Sequence, residues 1–390
     1  MLHEITKYYA ALFAKKEISD GAKDECLQTL RGGHRVLPPT ARECGAEITA
    51  NETAAVLANL PTGKSPGPDC LPNRLYKTQS RRLATILTEV YNESRRNGVL
   101  PESCTQGLIS VMYKKKERDD PRNYRPITLL NGDYKVLTRI LTRRMNAAVV
   151  QFVSKCQNGF VPGGFLPENI MLLKLLQAYI EDEDEDAYFV FLDMEKSFDR
   201  SSWVYLREAL NAIGLGEDDV PPTTTAPAAA QTSPAPGAPN APSAPNPSLA
   251  SFVDLFYSHD HPPTRQICMN GHLGPWFPLN SGVAQGCPLS PLLFLVIREA
   301  LSHLITTDDS IKGVKVGDAE HKISQYADDS TLIGRDEDDW QKQQDHLNTW
   351  CKGTAMSKNG TKREGQLLGR ASSHGKGREH RRTSSKMTRG

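Results

Sequence analysis

The sequence predicts an α+β fold in which an antiparallel sheet packs on helices. Three observations carry that expectation. Apolar residues recur at helical spacing along much of the chain, as at Tyr134, Leu137, Leu141 and Met145. Strand-like runs are shorter, and two pairs of them flank tight turns, at Asn270-Gly271 and within Tyr326-Ala327-Asp328-Asp329. One run, Tyr188 to Asp193, is apolar almost throughout, the pattern of a strand buried on both faces.

The elements follow in order. Ile5, Tyr8, Tyr9, Leu12 and Phe13 mark a helix in Met1 to Lys16. Ala50 to Leu60 gives a second, ended by Pro61-Thr62-Gly63, after which Lys64 to Asp69 is a rigid exposed loop. Leu71 to Asn97 is mostly helical and is stopped by Gly98. A strand, Leu108 to Tyr113, runs into Lys114-Lys115-Lys116. The helix of Tyr134 to Met145 has a basic other face of Lys135, Arg139, Arg143 and Arg144. Pro167 to Ile180 is helical, and another helix begins near Ser201 with Trp203, Leu206, Leu210 and Ile213. Pro221 to Pro247 turns abruptly to Pro, Ala, Thr and Ser, which cannot form a packed core and reads as an insert within one domain. Asn-Gly then joins Arg265–Met269 to His272–Phe277, Leu292 to Ile305 is a buried helix, and Trp340 to Cys351 is a short polar one.

Bulk properties narrow the function classes. The 390 residues suffice for two or three domains, and 47 basic against 46 acidic residues leave a net charge of +1. That balance hides an acidic run, Glu181 to Asp186, and a basic stretch, Arg370 to Gly390, whose composition favours a disordered tail. The eight cysteines include no Cys-x-x-Cys pair, which argues against a zinc ribbon or disulfide scaffold. His259, His261, Cys268 and His272 match no common zinc spacing. With no signal peptide and no apolar run of membrane-spanning length, the expectation is an intracellular protein with reduced thiols.

Chemistry concentrates in carboxylates at strand ends. Asp328 and Asp329 sit together at a hairpin tip, where solvent or a divalent cation must offset their repulsion. Asp193 closes a second strand. Three acids so placed are what a two-metal phosphoryl-transfer site needs. Taken alone, the tetrapeptide divides evenly between that site and a turn that simply favours Asp. Asp199 fits a helix N-terminal charge. Gly282 to Pro291 has glycines that let backbone approach a ligand, a Gln285 able to bond sugar or base, and prolines leading into the next helix; an ordinary loop is the plainer reading.

Read in order, these segments resemble the reverse transcriptase domain of non-LTR (LINE-type) retrotransposons. Phe191-Leu192-Asp193-Met194-Glu195-Lys196-Ser197-Phe198-Asp199-Arg200 resembles the family's first catalytic motif, Gln285-Gly286-Cys287-Pro288-Leu289-Ser290-Pro291 its nucleotide-pocket motif, and Tyr326-Ala327-Asp328-Asp329 its second catalytic motif. Lys64 to Asp69, Asn123 to Ile127 and Gln157 to Gly163 resemble its fingers motifs, and Asn359 to Glu364 a degraded further motif with Lys362 at the lysine. The match covers roughly residues 45 to 369 without the Pro-rich insert. Departures are Cys70 for a usual glycine, Gly164 for a usual arginine, Ala284 for a basic residue, and the insert itself.

The resemblance implies a right-hand polymerase palm and fingers, with the thumb, endonuclease and terminal zinc motif expected to be missing. An N-terminal helical segment would span 1–60, fingers 61–187 and palm 188–369, interrupted at 220–248, before a basic tail at 370–390. It implies an RNA-directed DNA polymerase acting with RNA template, DNA primer and dNTPs, expected inside the cell in the nucleus, with no membrane partner. Asp193, Asp328 and Asp329 would bind two Mg²⁺, with Mn²⁺ an acceptable substitute. Phe198 would face the incoming sugar, or else be a core aromatic. Arg125 and Lys115 would hold the triphosphate, although that lysine run reads equally as a solvated turn. Gln285, Gly286 and Lys362 would complete the nucleotide site, and Tyr326, Lys135 and Arg139 would contact nucleic acid. The alternatives are a catalytically silent nucleic-acid-binding remnant and a maturase-like protein, the latter requiring a helical domain after the palm.

Overall fold

The computed structural model describes residues 1–216 and 248–369, with backbone alone at 360–364. The first part is helical: α1 Leu2–Leu12, α2 Asp20–Gly32, α3 Pro38–Gly45, α4 Ala50–Ala58, α5 Asn73–Thr78, α6 Ser80–Asn97 and the single turn α7 Glu102–Thr105. Local chemistry sets several of these boundaries. Thr49 and Glu52 form a reciprocal capping box at the start of α4. Gly98, at φ 71°, ends α6 in the left-handed conformation that glycine adopts without penalty.

There follow β1 Gln106–Tyr113, β2 Tyr124–Leu130, α8 Gly132–Phe152, α9 Leu166–Asp182, β3 Ala187–Met194, α10 Ser197–Arg200, α11 Trp203–Ala212, α12 Leu249–Asp254, β4 Thr264–Met269 and β5 His272–Pro278. The remainder is α13 Ser290–Thr306, β6 Val314–Val316, β7 Ala319–His321, β8 Ile323–Tyr326, β9 Asp329–Gly334, α14 Glu337–Thr354 and β10 Lys358–Leu368.

Two four-stranded sheets organise the molecule, ordered β2-β1-β4-β5 and β10-β3-β9-β8, beside a small β6-β7 ribbon. The second sheet is antiparallel throughout and carries all three singled-out acids at or beside its strands. In the first, β1 runs parallel to β4. The β4–β5 turn has Asn270 and Gly271 both at positive φ, 52° and 80°, as an Asn-Gly hairpin requires.

One core cluster runs from Ile5 of α1 to Met356 beyond α14. Its axis is α13, buried on every side from Leu292 through Ile305, as expected of a helix apolar over most of its surface, with Arg298, Glu299, Ser302 and His303 enclosed among the apolar residues. Helix α2 lies against α14, α13 and α11, so the N-terminal helices share the core of the second sheet. A smaller cluster of Leu176, Ile180, Phe189 and Ile333 seats α9 on that sheet. Across the break in the described chain, Ala250 N donates to Leu215 O at 3.2 Å, so the two flanks meet.

Several expectations need correction. β3 is not covered on both faces, because Phe191 is 39 % exposed. Helix α14 spans Glu337–Thr354, longer than the polar stretch suggested, and α2, α3, β2, β6, β7 and β10 add elements that the pattern did not reveal. The Pro/Ala-rich segment, apart from Ser248, and the basic tail lie outside the described residues. Among the described residues no helix is long and apolar enough to cross a membrane.

Candidate active site at the Asp-Asp hairpin

Strand register brings the acids together. β3 pairs antiparallel with β9 as Phe191–Thr331 and Leu192–Ser330. One step further along that ladder, Asp193 reaches the position across from Asp329. Tyr326 and Asp329 are the last pair of the β8–β9 hairpin, leaving Ala327-Asp328 as a two-residue turn. Ala327 takes φ 56° there, a conformation that costs a non-glycine residue and has to be held by its surroundings.

Gln157 holds it. Its Oε1 accepts from Ala327 N at 3.0 Å and from Gly159 N at 2.8 Å, while its Nε2 points to Ala327 O at 3.4 Å. The neighbouring backbone adds Gln325 N to Cys156 O at 2.7 Å and Asn158 N to Gln325 O at 3.1 Å. Residues 156–159 thus lie along the free edge of β8 like a short extra strand. The approach is so close that a Cβ on Gly159 would stand 2.0 Å from Ala327 N, which explains glycine at this position. Asn169 of α9 closes the other side, its Nδ2 donating to Ser324 Oγ and to Gln325 O, both at 2.9 Å. Sequence reasoning took Gln157 as part of a fingers motif and passed over Asn169. A glutamine beside a glycine in a loop gives no sign of which backbone it grips.

Asp193 is half-buried, and Asn359 of β10 donates to its Oδ2 at 2.9 Å. Asp328 is half-buried and Asp329 exposed. These are hard oxygen donors at adjacent strand ends, the ligand type that Mg²⁺ or Mn²⁺ takes, and in that chemistry they fit a divalent cation. Among the described residues, however, no three His, Cys, Asp or Glu side chains are drawn close enough to form a ready-made metal cluster.

The loop before α13 is laced to the segment that follows β3. Val283 N donates to Phe198 O at 2.7 Å, Gly282 N to Ser201 O at 2.8 Å, and Trp203 Nε1 to Gly282 O at 2.8 Å. Gln285 Nε2 reaches both carboxyl oxygens of Asp199, at 3.1 and 3.2 Å, and Gln285 O accepts from Thr128 N of β2 at 2.7 Å. Asp199 lies in the first turn of α10, as a helix N-terminal charge would, but it is enclosed there, only 1 % exposed. Burial pushes its carboxyl up to about 7, against the opposing pull of Lys196, the Gln285 hydrogen bond and Arg125. Gly286 stands exposed at φ 123°, against Thr128 O, where a side chain would collide.

Phe198 stacks on Phe294 of α13, with centroids 4.4 Å apart, and meets the edge of Phe160 at 6.1 Å. It is half-buried, so one side is core and the remainder is left to the cleft. Arg125 is exposed on β2 and acts on Asp199 through charge, whereas Lys115 is exposed in the turn after β1. Lys135 and Arg139 stand one turn apart on α8 with Arg143 beyond them; burial first, then the like charge of Arg139, lowers the pKa of Lys135, and burial followed by Arg143 lowers that of Arg139. Tyr326 is half-buried beside the acids, and the side chain of Lys362 lies outside the described residues.

The chain is similar to several known proteins. Residues 113–367 match the family model for reverse transcriptase (RNA-dependent DNA polymerase). The chain is 26 % identical over 363 residues to the transposon TX1 uncharacterized 149 kDa protein of Xenopus laevis, covering 93 % of this chain and 25 % of that protein. It is 23 % identical over 290 residues to the RNA-directed DNA polymerase from mobile element jockey of Drosophila melanogaster, covering 73 % of this chain and 27 % of the relative. It is also 25 % identical over 286 residues to the retrovirus-related Pol polyprotein from type-2 retrotransposable element R2DM of the same fly, covering 73 % and 23 %. The chain thus spans about a quarter of the length of these relatives.

Proposed function

The chain belongs to the reverse transcriptase family, in its non-LTR retrotransposon branch, and on that premise we propose that it extends a DNA primer with dNTPs on an RNA template. The observation that carries the proposal is the register that sets Asp193 across from Asp329 at the Ala327-Asp328 turn. Asp193 and Asp328 are the principal cation ligands and Asp329 the weaker one. Cations bound there would activate the primer 3′-hydroxyl and stabilise the departing pyrophosphate, which is how divalent metals serve this family.

The remaining residues bind and orient. Because Gln285 commits its amide N–H to Asp199, its Oε1 is left as the group that meets the incoming nucleotide. Gly286, open to the cleft, lets sugar and base approach the backbone. The Phe198 ring, backed by Phe294, is a firm wall against the sugar and disfavours a 2′-hydroxyl. Arg125 and Lys115 supply positive charge to the triphosphate. Lys135, Arg139 and Tyr326 bear on the nucleic acid, whose A-form shape and phosphates carry the recognition. Its work belongs in the nucleus, where primer DNA resides.

Primer extension on an RNA template with Mg²⁺ tests the reading, wild type beside Asp328→Ala. Incorporation should be present in the first and fall by about three orders of magnitude or more in the second. A wild type that binds RNA–DNA duplex yet adds no nucleotide would instead be a nucleic-acid-binding remnant.

A further inference from the structure

Arg298 is a charged residue in the middle of the apolar helix α13, and it is 1 % exposed. Its Nη2 donates to the hydroxyl of Ser330, the residue after Asp329. Along β9 Asp329 is exposed and Ser330 buried, so the guanidinium lies on the inner side of the strand that presents the acid outward. Its central carbon is 5.1 Å from the centroid of the Trp350 ring, which is fixed by Trp350 Nε1 donating to Ile297 O at 2.9 Å. The Nε and Nη1 of Arg298 are buried with no hydrogen-bond partner. Burial lowers its pKa to about 10, with Asp328 the foremost charge opposing that fall and Asp329 a lesser one, so the group stays cationic at neutral pH.

Stability is a poor reason for such a residue. A buried cation with two unmet donors is costly, and an apolar side chain of similar size in such a place is often as stable or more so. What the cation does have is a position behind two consecutive carboxylates that repel each other.

We infer that Arg298 is a positioning residue, a fixed internal countercharge that holds Asp328 and Asp329 at the turn in the absence of bound cation and moderates how tightly cations bind there. The inference rests on the proposed role of those acids. With Arg298 in place, part of the pair's negative charge is met from inside the protein before any ion arrives. An arriving ion also feels the guanidinium's like charge across the strand, which weakens its hold. The acids are then held at the turn before an ion arrives, and the site they would complete with it is only moderately avid.

The test is Mn²⁺ binding to the full chain by electron paramagnetic resonance, with thermal unfolding recorded with and without Mg²⁺. Arg298→Met should bind Mn²⁺ about tenfold more tightly and gain more from Mg²⁺ in its melting temperature than the wild type. Arg298→Lys keeps the charge and should stay near the wild type in both. Met and wild-type chains of equal affinity and equal Mg²⁺ response would overturn the inference, as would a Lys variant that tightens like Met. Should the Met variant not fold, Arg298→Gln is judged by the same criteria. Asp328→Asn, with Arg298 intact, separates the two ideas. Loss of Mn²⁺ binding supports the acids as ligands, whereas undiminished binding removes the site reading and the inference with it.

Discussion

A carboxyl group with almost no exposure must be neutral or closely held, and Asp199 is balanced between the two. Its folded pKa of about 7 lies above the unfolded value of about 4. Between those values the unfolded chain has released a proton that the folded chain keeps. Stability from this group is therefore complete below pH 4 and declines as pH rises toward 7, at about 1.4 kcal/mol per unit at most. Asp199→Asn should flatten that slope, read from urea unfolding midpoints at a series of pH values. An unchanged slope would mean that the carboxyl is ionised throughout. At this scale the sequence was informative about residue type and blind to environment. Asp193, Asp328 and Asp329 drew notice as acids at strand ends, and the register sets them at adjacent strand ends, whereas Phe198 was singled out by the family resemblance alone. The enclosure of Asp199 was not legible, because the fold alone brings Gln285 to its carboxylate. Gln157, Asn169 and Arg298 owe their interest entirely to partners distant in sequence.

Two glycines show how elements differ in what holds them. Gly271, in the β4–β5 turn, has φ 80° and nothing within 4 Å of where a Cβ would go. Gly271→Ala should cost only backbone strain, about 1–2 kcal/mol. Gly159 has the opposite problem, since a Cβ there would sit against the backbone of Ala327. Gly159→Ala must pry residues 156–159 from the Asp-Asp hairpin, and a loss of about 3 kcal/mol or more with collapse of primer extension is expected. Unfolding and extension assays run side by side on both variants would contradict this account if the losses matched. Elements with strong periodicity, such as α8 and α13, were legible. β10 was not, because Lys358-Asn359-Gly360-Thr361-Lys362-Arg363-Glu364-Gly365 has a loop's composition, and pairing with β3 makes it a strand. α2 was missed because Cys26, Leu27 and Leu30 alone form its buried stripe.

For the whole molecule, family likeness and folding unit have different limits. The family match begins at residue 113, yet Ile5, Tyr9, Leu27 and Leu57 lie in the same core as Leu332 beneath the hairpin. Hydroxyl contacts reinforce this, with Tyr9 Oη donating to Tyr124 O at 3.0 Å beside Lys196 Nζ, which reaches the same oxygen at 2.7 Å. The segment that follows Asp193 is thereby tethered to the first helix of the chain. Sequence could not show this, because short helical stripes do not say which partner they will cover. The hydrogen bond from Ala250 to Leu215 has a different kind of implication. The two flanks of the break in the described chain meet at one point, and so this is a place to open the polypeptide. A permuted gene could start at Ser248 and finish at Gly216, with its former termini fused through a Gly-Ser linker. It should yield a protein with the parent's circular dichroism and a melting temperature within a few degrees. A permutant that fails to fold while the linear chain does would show that the stretch between these two positions contributes more than connection.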